Sequence, residues 1–256
     1  FYFLENGYFL LVLVFLAIFT KVQIEYKLFN NFFYVSITLL PLVVFKYSYI
    51  IYSFLGLNTP TFIENNFPIG LSFFTFQAIA YYFDINRLQN NESTFEIFTF
   101  LAFFPQLLAG PIVDISAYRN GISSFASKEE IQNGVQRLSM GILKKFFLAD
   151  TLAEITSVYV NSSDIHSISF VSSFILIFSY TFQIYFDFSG YCDIAIGLGY
   201  LFGFNLPENF NRPYLSRTFK EFWQRWHITL SNFFKDHVYI PLGGNRVSKL
   251  ITYRNL

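Results

Sequence analysis

The sequence predicts an all-α protein that crosses a membrane several times, and three observations predict it. Hydrophobic residues make up 54% of the chain and charged residues only 13%, against roughly 25% charge in a soluble domain. Phe and Tyr alone supply 55 of 256 residues, more apolar surface than a soluble fold of this size covers. Long apolar runs also recur along the chain, separated by short polar links, which is the pattern of repeated spans. Formal net charge is zero, so no global field points to nucleic acid as a partner. The three histidines lack metal-ligand spacing, and no metal is expected. The single Cys192 cannot close an intramolecular disulfide.

In chain order, Phe3 to Phe19 reads as a first span, followed by Lys21 and Lys27. Asn31 to Leu57 reads as a second, broken by Pro41 and carrying Lys46, whose stem can reach an interface. The link from Gly56 to Pro68 has no Lys or Arg, which places the Lys21 to Lys27 loop in the cytoplasm and the next link outside. Pro68 to Phe83 is a short third span ending at Asp84 and Arg87. Phe95 to Val113 is a fourth, in which Pro105 and the Gly110-Pro111 pair must break regular helix. Broken backbone at membrane depth needs protein or a water-filled cavity to cover it, so a pocket wall is expected there. Ser127 and Glu130 form a capping box that opens a polar helix through Lys144 and Lys145 to about Val160, interfacial or tilted.

Ile168 to Phe204 is too long for one crossing and is expected to divide near Ser189-Gly190. Within it Gln183, Asp187, Ser189 and Asp193 interrupt apolar sequence. Intramembrane polar groups are costly unless paired or hydrated, so these four are candidate substrate or pore-lining residues. The alternative for the two aspartates is structural, capping or bonding the broken backbone near Gly190; their six-residue spacing does not put them on one helical face. Residues 206 to 214 make a rigid polar link. It leads into Phe219 to Gly244, where Phe219, Phe222, Trp223, Trp226, Leu230, Phe233 and Phe234 recur at helical spacing. That stretch predicts an amphipathic helix at the membrane boundary, because a central Arg or Lys costs on the order of 3 kcal/mol in hydrocarbon. His227 projects from its apolar side. His237 is expected to be solvated or interfacial, and His166 incidental in a polar loop. Eight of the seventeen Lys and Arg lie from Arg212 onward, which the positive-inside rule explains; binding of donor phosphates or anionic lipid is the sharper alternative.

Five blocks now carry a resemblance: PIGLSFFTFQ (68 to 77), FFPQLLAGPIV (103 to 113), QIYFDFSGYCDIAIGLG (183 to 199), LFGFNLPENFNRPYLSRTFKEFWQRWHITLS (201 to 231) and FFKDHVYIPLGGNR (233 to 246). In this order they resemble the membrane-bound O-acyltransferase (MBOAT) family, in the AlgI-like branch that O-acetylates alginate, peptidoglycan or other exported glycans. The resemblance implies a bundle of transmembrane, re-entrant and interfacial helices around a funnel or pore, a multi-pass position in the bacterial inner membrane, and acetyl transfer from a cytoplasmic donor, acetyl-CoA, with no bound cofactor. It further implies contact with membrane lipid, an exported glycan acceptor and a periplasmic acetyltransferase partner. One family histidine matches His227 within Arg225-Trp226-His227-Ile228-Thr229-Leu230-Ser231, and with it Asn211, Arg225 and Trp226 become site candidates. The second, to which the family's central catalytic role is usually given, falls beyond Leu256. Since the chain opens on Phe1 and its only methionine is Met140, the expectation is a single membrane domain over 1 to 256 that is an internal fragment of a longer one.

Acyl transfer to a hydroxyl needs a base for its proton and donors for the tetrahedral oxyanion. A neutral imidazole in an apolar pocket suits the base, and His227 is the candidate here, as base or in support. Two other readings stay open: D-alanyl transfer to teichoic acid in the manner of DltB proteins, and a non-enzymatic transporter or channel.

Overall fold

The computed structural model describes residues 7–58, 60, 70–88, 93–107, 110–122, 125–160 and 169–255. In chain order the helices are α1 (Gly7–Tyr26), α2 (Asn31–Leu42), α3 (Ser48–Phe54), α4 (Leu71–Leu88), α5 (Thr94–Leu101), α6 (Phe104–Leu107) and α7 (Ile115–Ile122). Then come α8 (Lys128–Ile142), α9 (Asp150–Val160), α10 (Phe170–Leu201), α11 (Phe219–Trp223), α12 (Ile228–Phe234) and α13 (Lys249–Asn255). The described residues contain no strand, and three helical runs are long and apolar enough to cross a membrane: Phe9–Tyr26, Asn31–Phe54 and Phe170–Leu201. The chain is thus an all-α membrane protein. Its residues group into two compact units. One comprises Phe1–Leu108, Ile112–Tyr118 and Asn232–Leu256, the other Ala109–Pro111 and Arg119–Ser231.

In the first unit Tyr34 is fully buried and joins three helices. Its hydroxyl donates to the Ala78 carbonyl at 3.2 Å and therefore accepts from Thr20 at 3.0 Å. Its ring lies 5.5 Å from Phe19 and 4.0 Å from Tyr82. The first span extends beyond Phe19 to Tyr26 because the polar residues added to it find partners. Lys21 pairs with Glu25 at 3.3 Å, and Gln23 bonds both the carbonyl and the N–H of Phe29. Pro41 does not break the second span. The α-helix runs past it to Leu42 and goes on into a π segment at Val43–Tyr47.

The third span reaches Leu88, past the expected Phe83; its predicted start at Pro68 lies outside the described residues. The fourth breaks as expected, into α5, α6 and extended backbone at 110–114. A capping box of Ser93 and Glu96 opens it. Gln77 donates to the Val113 carbonyl at 2.8 Å, so the broken strand of backbone is covered by protein. His237 is not a solvated ring: it stacks on Phe83 at 5.1 Å and lies 4.9 Å from Phe233.

The second unit is built on α8, a π segment at Leu143–Ala149, and α9, packed against α10. The predicted capping box of Ser127 and Glu130 opens α8. The 32 residues of α10 form one helix with no division at Ser189-Gly190. At about 1.5 Å per residue it is about 48 Å long, more than the roughly 30 Å of hydrocarbon. Its two halves differ. From Phe170 to Tyr180 large apolar side chains are exposed, among them Phe170, Phe174 and Ile177; from Ser189 onward the buried positions are, apart from Ile196, small or polar.

The glycines of the second half allow close approach instead of breaking the helix. Gly190 faces Gly141 and Gly197 faces Gly134, so two pairs seven residues apart bring the antiparallel backbones together. A Cβ on Gly141 would stand 2.6 Å from the Gly190 carbonyl oxygen and 2.7 Å from the Ile194 nitrogen. Gly141→Ala is therefore expected to destabilise the α8–α10 pair by about 1–3 kcal/mol, the usual cost of overpacking. The check is the thermal midpoint in detergent, and an unchanged midpoint would show that the backbones part without cost.

Candidate functional site

His227 stands in the turn between α11 and α12. The predicted amphipathic helix is not continuous there: α11 ends at Trp223, and α12 begins at Ile228. His227 itself is in the left-handed region at φ 45°, a conformation that costs a non-glycine residue energy and persists only where its surroundings fix it. The link from 206 to 214 provides that fixing. Phe210 and Trp226 form an antiparallel bridge, and the Asn211 N–H donates to the Arg225 carbonyl at 2.9 Å while the Ile228 N–H donates to the Asn209 carbonyl at 3.0 Å. The Asn209 side chain, fully buried, accepts from the Thr229 N–H at 3.1 Å and from its hydroxyl at 3.0 Å. Its amide donates to the sulfur of Cys192 at 3.4 Å. This network stops the helix and sets the direction of the imidazole.

The ring of His227 meets Phe188 of α10 edge to face at 4.7 Å. Its Nε2 is buried with no hydrogen-bond partner among the described residues. Burial pushes the imidazole down from the usual 6.5 to about 4, because desolvation penalises the charged form. The ring is therefore neutral at pH 7. Trp226 packs against Phe222 at 5.6 Å and Phe210 at 5.0 Å, a half-buried aromatic cluster beside the turn. Arg225 is committed to Glu221 at 2.6 Å.

Beside this turn, within the same unit, a cavity of about 520 Å³ is lined by residues of α8, α10 and the 208–212 link, with Tyr185, Ser189, Asp193 and Asn211 among them. Of the residues predicted from sequence, Ser189, Asp193 and Asn211 line this cavity; Gln183, Asp187, Arg225, Trp226 and His227 stand outside its lining. The Ser189 hydroxyl and the Gln183 carbonyl oxygen are both buried without a hydrogen-bond partner among the described residues. The structural alternative for the aspartates is corrected: neither caps broken backbone. Asp193, almost fully buried, accepts from Arg137 Nε at 2.6 Å and Lys144 Nζ at 2.5 Å. Arg137 also reaches Glu208, and Asp187 pairs with Lys145 at 2.7 Å. His166 lies outside the described residues. No cluster of three His, Cys, Asp or Glu side chains suited to a metal occurs among the described residues.

Arg137, Lys144, Glu208 and Asn209 are site-shaping residues that the sequence reading passed over. A signal existed: Gly134, Arg137, Gly141 and Lys144 recur at spacings of three and four, as do Gly190, Asp193 and Gly197. Each set marks one helix face, one carrying cations between glycines and the other a carboxylate.

A family model described as MBOAT, membrane-bound O-acyltransferase family, matches residues 84–256. A peptidoglycan O-acetyltransferase of Helicobacter pylori is 40% identical to this chain, over 74% of the chain and 41% of that protein. A probable alginate O-acetylase AlgI of Pseudomonas aeruginosa is also 40% identical, over 74% of the chain and 36% of that protein. A teichoic acid D-alanyltransferase of Bacillus subtilis is 29% identical, over 67% of the chain and 45% of that protein. The chain thus spans about two fifths of the length of the curated relatives it matches.

Proposed function

The chain belongs to the membrane-bound O-acyltransferase family, and from that premise we propose that it serves a multi-pass enzyme of the bacterial inner membrane that acetylates an exported polysaccharide or peptidoglycan. The donor is acetyl-CoA on the cytoplasmic side, and a periplasmic acetyltransferase partner completes transfer to the glycan. One observation carries the reading: a neutral imidazole, fixed by backbone pairing, whose Nε2 is covered and has no partner among the described residues. A buried polar atom in that state is costly in a resting fold and suits a group whose partner is the substrate. As base, Nε2 takes the proton of an acceptor hydroxyl while its oxygen bonds the acetyl carbonyl carbon and the donor sulfur leaves. As support, a protonated Nε2 donates to the oxyanion that forms.

The reading is tested by deleting the gene, complementing it, and identifying what mild alkali releases from the exported glycan. Acetate that disappears on deletion and returns on complementation supports it. D-alanine in its place establishes the second reading, which the more distant D-alanyltransferase relative favours. Unchanged esters overturn both and leave the transporter reading.

The pH dependence follows from the lowered pKa. Only the neutral ring acts as base, and with its pKa near 4 it stays neutral well below pH 6. The limb of the rate profile that belongs to His227 is therefore flat at neutral pH and falls as pH drops through about 4. A limb near 6.5 in transfer assays on the purified protein would mean that water reaches the ring in the working enzyme.

A further inference from the structure

A second groove, of about 560 Å³, lies in the segment that follows the link and is lined by Pro213, Tyr214, Arg217, Phe219, Phe222 and Trp223, with Ser216 and Thr218. Its apolar side chains are not folded inward: Phe219 is 87% exposed and Trp223 57%. Two cations are exposed here: Arg217, which lines the groove, and Lys220, which follows Phe219 in the chain. Among the described residues no carboxylate lies within ion-pair distance of either side chain. Glu221, the nearest acid in sequence, is already committed, one oxygen to Arg225 and the other to the Arg217 N–H.

The groove is tied to the half of α10 whose large apolar side chains are exposed. The Tyr214 hydroxyl donates to the Thr181 carbonyl at 2.9 Å, and its ring packs on Phe182 at 5.4 Å, directly after the run of exposed apolar residues from Phe170 to Tyr180. An apolar trough at that level, ending in unopposed cations and an exposed tryptophan, has the character of a membrane interface, where Trp settles among headgroups and basic side chains attract anionic lipid. We propose that this groove binds one acidic phospholipid, its phosphate at Arg217 and Lys220 and an acyl chain along Phe219, Phe222 and Trp223. Arg217, Lys220 and Trp223 lie outside the lining of the cavity beside His227, while Phe222 and Tyr214 join the groove to Trp226 and Tyr185.

The test is native mass spectrometry of the purified protein with palmitoyl-oleoyl phosphatidylglycerol and with phosphatidylcholine of the same chains. Wild type is expected to retain phosphatidylglycerol about tenfold better. The Arg217→Gln/Lys220→Gln double variant should lose that preference, and Trp223→Ala should weaken retention of both lipids alike. All three side chains are exposed, so the fold is expected to survive, with unchanged helical circular dichroism as the control. Equal retention of the two lipids by wild type, or a preference that persists in the double variant, overturns the proposal. Displacement of phosphatidylglycerol by millimolar glycerol phosphate also overturns it, since the groove would then hold a phosphate and not a lipid.

Discussion

Replacing His227 with alanine is expected to lower ester formation on the exported glycan by about 10²–10⁴-fold, the range for removing a positioned acid or base, while the protein reaches the membrane at its normal level. The fold should tolerate the change because the turn is held by groups other than the imidazole. Its bonds run from Asn211 to the Arg225 carbonyl and from Ile228 and Thr229 to Asn209, and the ring itself meets Phe188 edge-on. Alanine keeps the strain of φ 45°, so His227→Gly provides the matching control: glycine adopts that conformation without penalty. If loss of folding caused the loss of activity, the glycine variant would recover both. If the imidazole is the cause, both variants fold and neither acetylates. Full activity in either variant would remove His227 from the mechanism.

Asp193→Ala is expected to cost about 3 kcal/mol of stability, at the lower end of the range for breaking a buried ion pair by removing one partner. Two cations lose their shared carboxylate at once, Arg137 and Lys144. The cost stays at the lower end because both cations are partly exposed and Arg137 keeps Glu208. Asp187→Ala is the comparison. Its carboxylate is about half exposed, and pairs of that kind contribute less than about 1 kcal/mol. Unfolding in detergent by denaturant should separate the two variants clearly. Equal midpoints would mean that the Asp193 cluster is as well solvated as the surface pair.

The capping box of Ser127 and Glu130 and the breaks at Pro105 and Gly110-Pro111 were legible because each is a local event, decided by residues three or four apart. The membrane class was legible from composition alone. Three expectations failed for one shared reason. Pro41 reads as a break, Ser189-Gly190 as a division, and Phe219 to Gly244 as one amphipathic helix, each from the intrinsic preference of the residues in place. In the fold, the helix carries Pro41 and runs on past it, and Gly190 serves contact with Gly141. The helix at Phe219 stops because Asn209, Phe210 and Asn211, at least fourteen residues earlier, pair with its backbone.

By itself the sequence determined what depends on neighbours along the chain: an apolar, helical membrane protein, its polar interruptions, and a histidine in an aromatic setting. Only the tertiary structure decided what those polar groups do. It gave Asp193 to two cations, left Ser189, Gln183 and His227 each with a covered polar atom that has no partner among the described residues, and set the imidazole in a left-handed turn. The physical reason is that a buried polar group takes its character from whichever partner the fold brings within hydrogen-bond reach, and such partners come from distant parts of the chain.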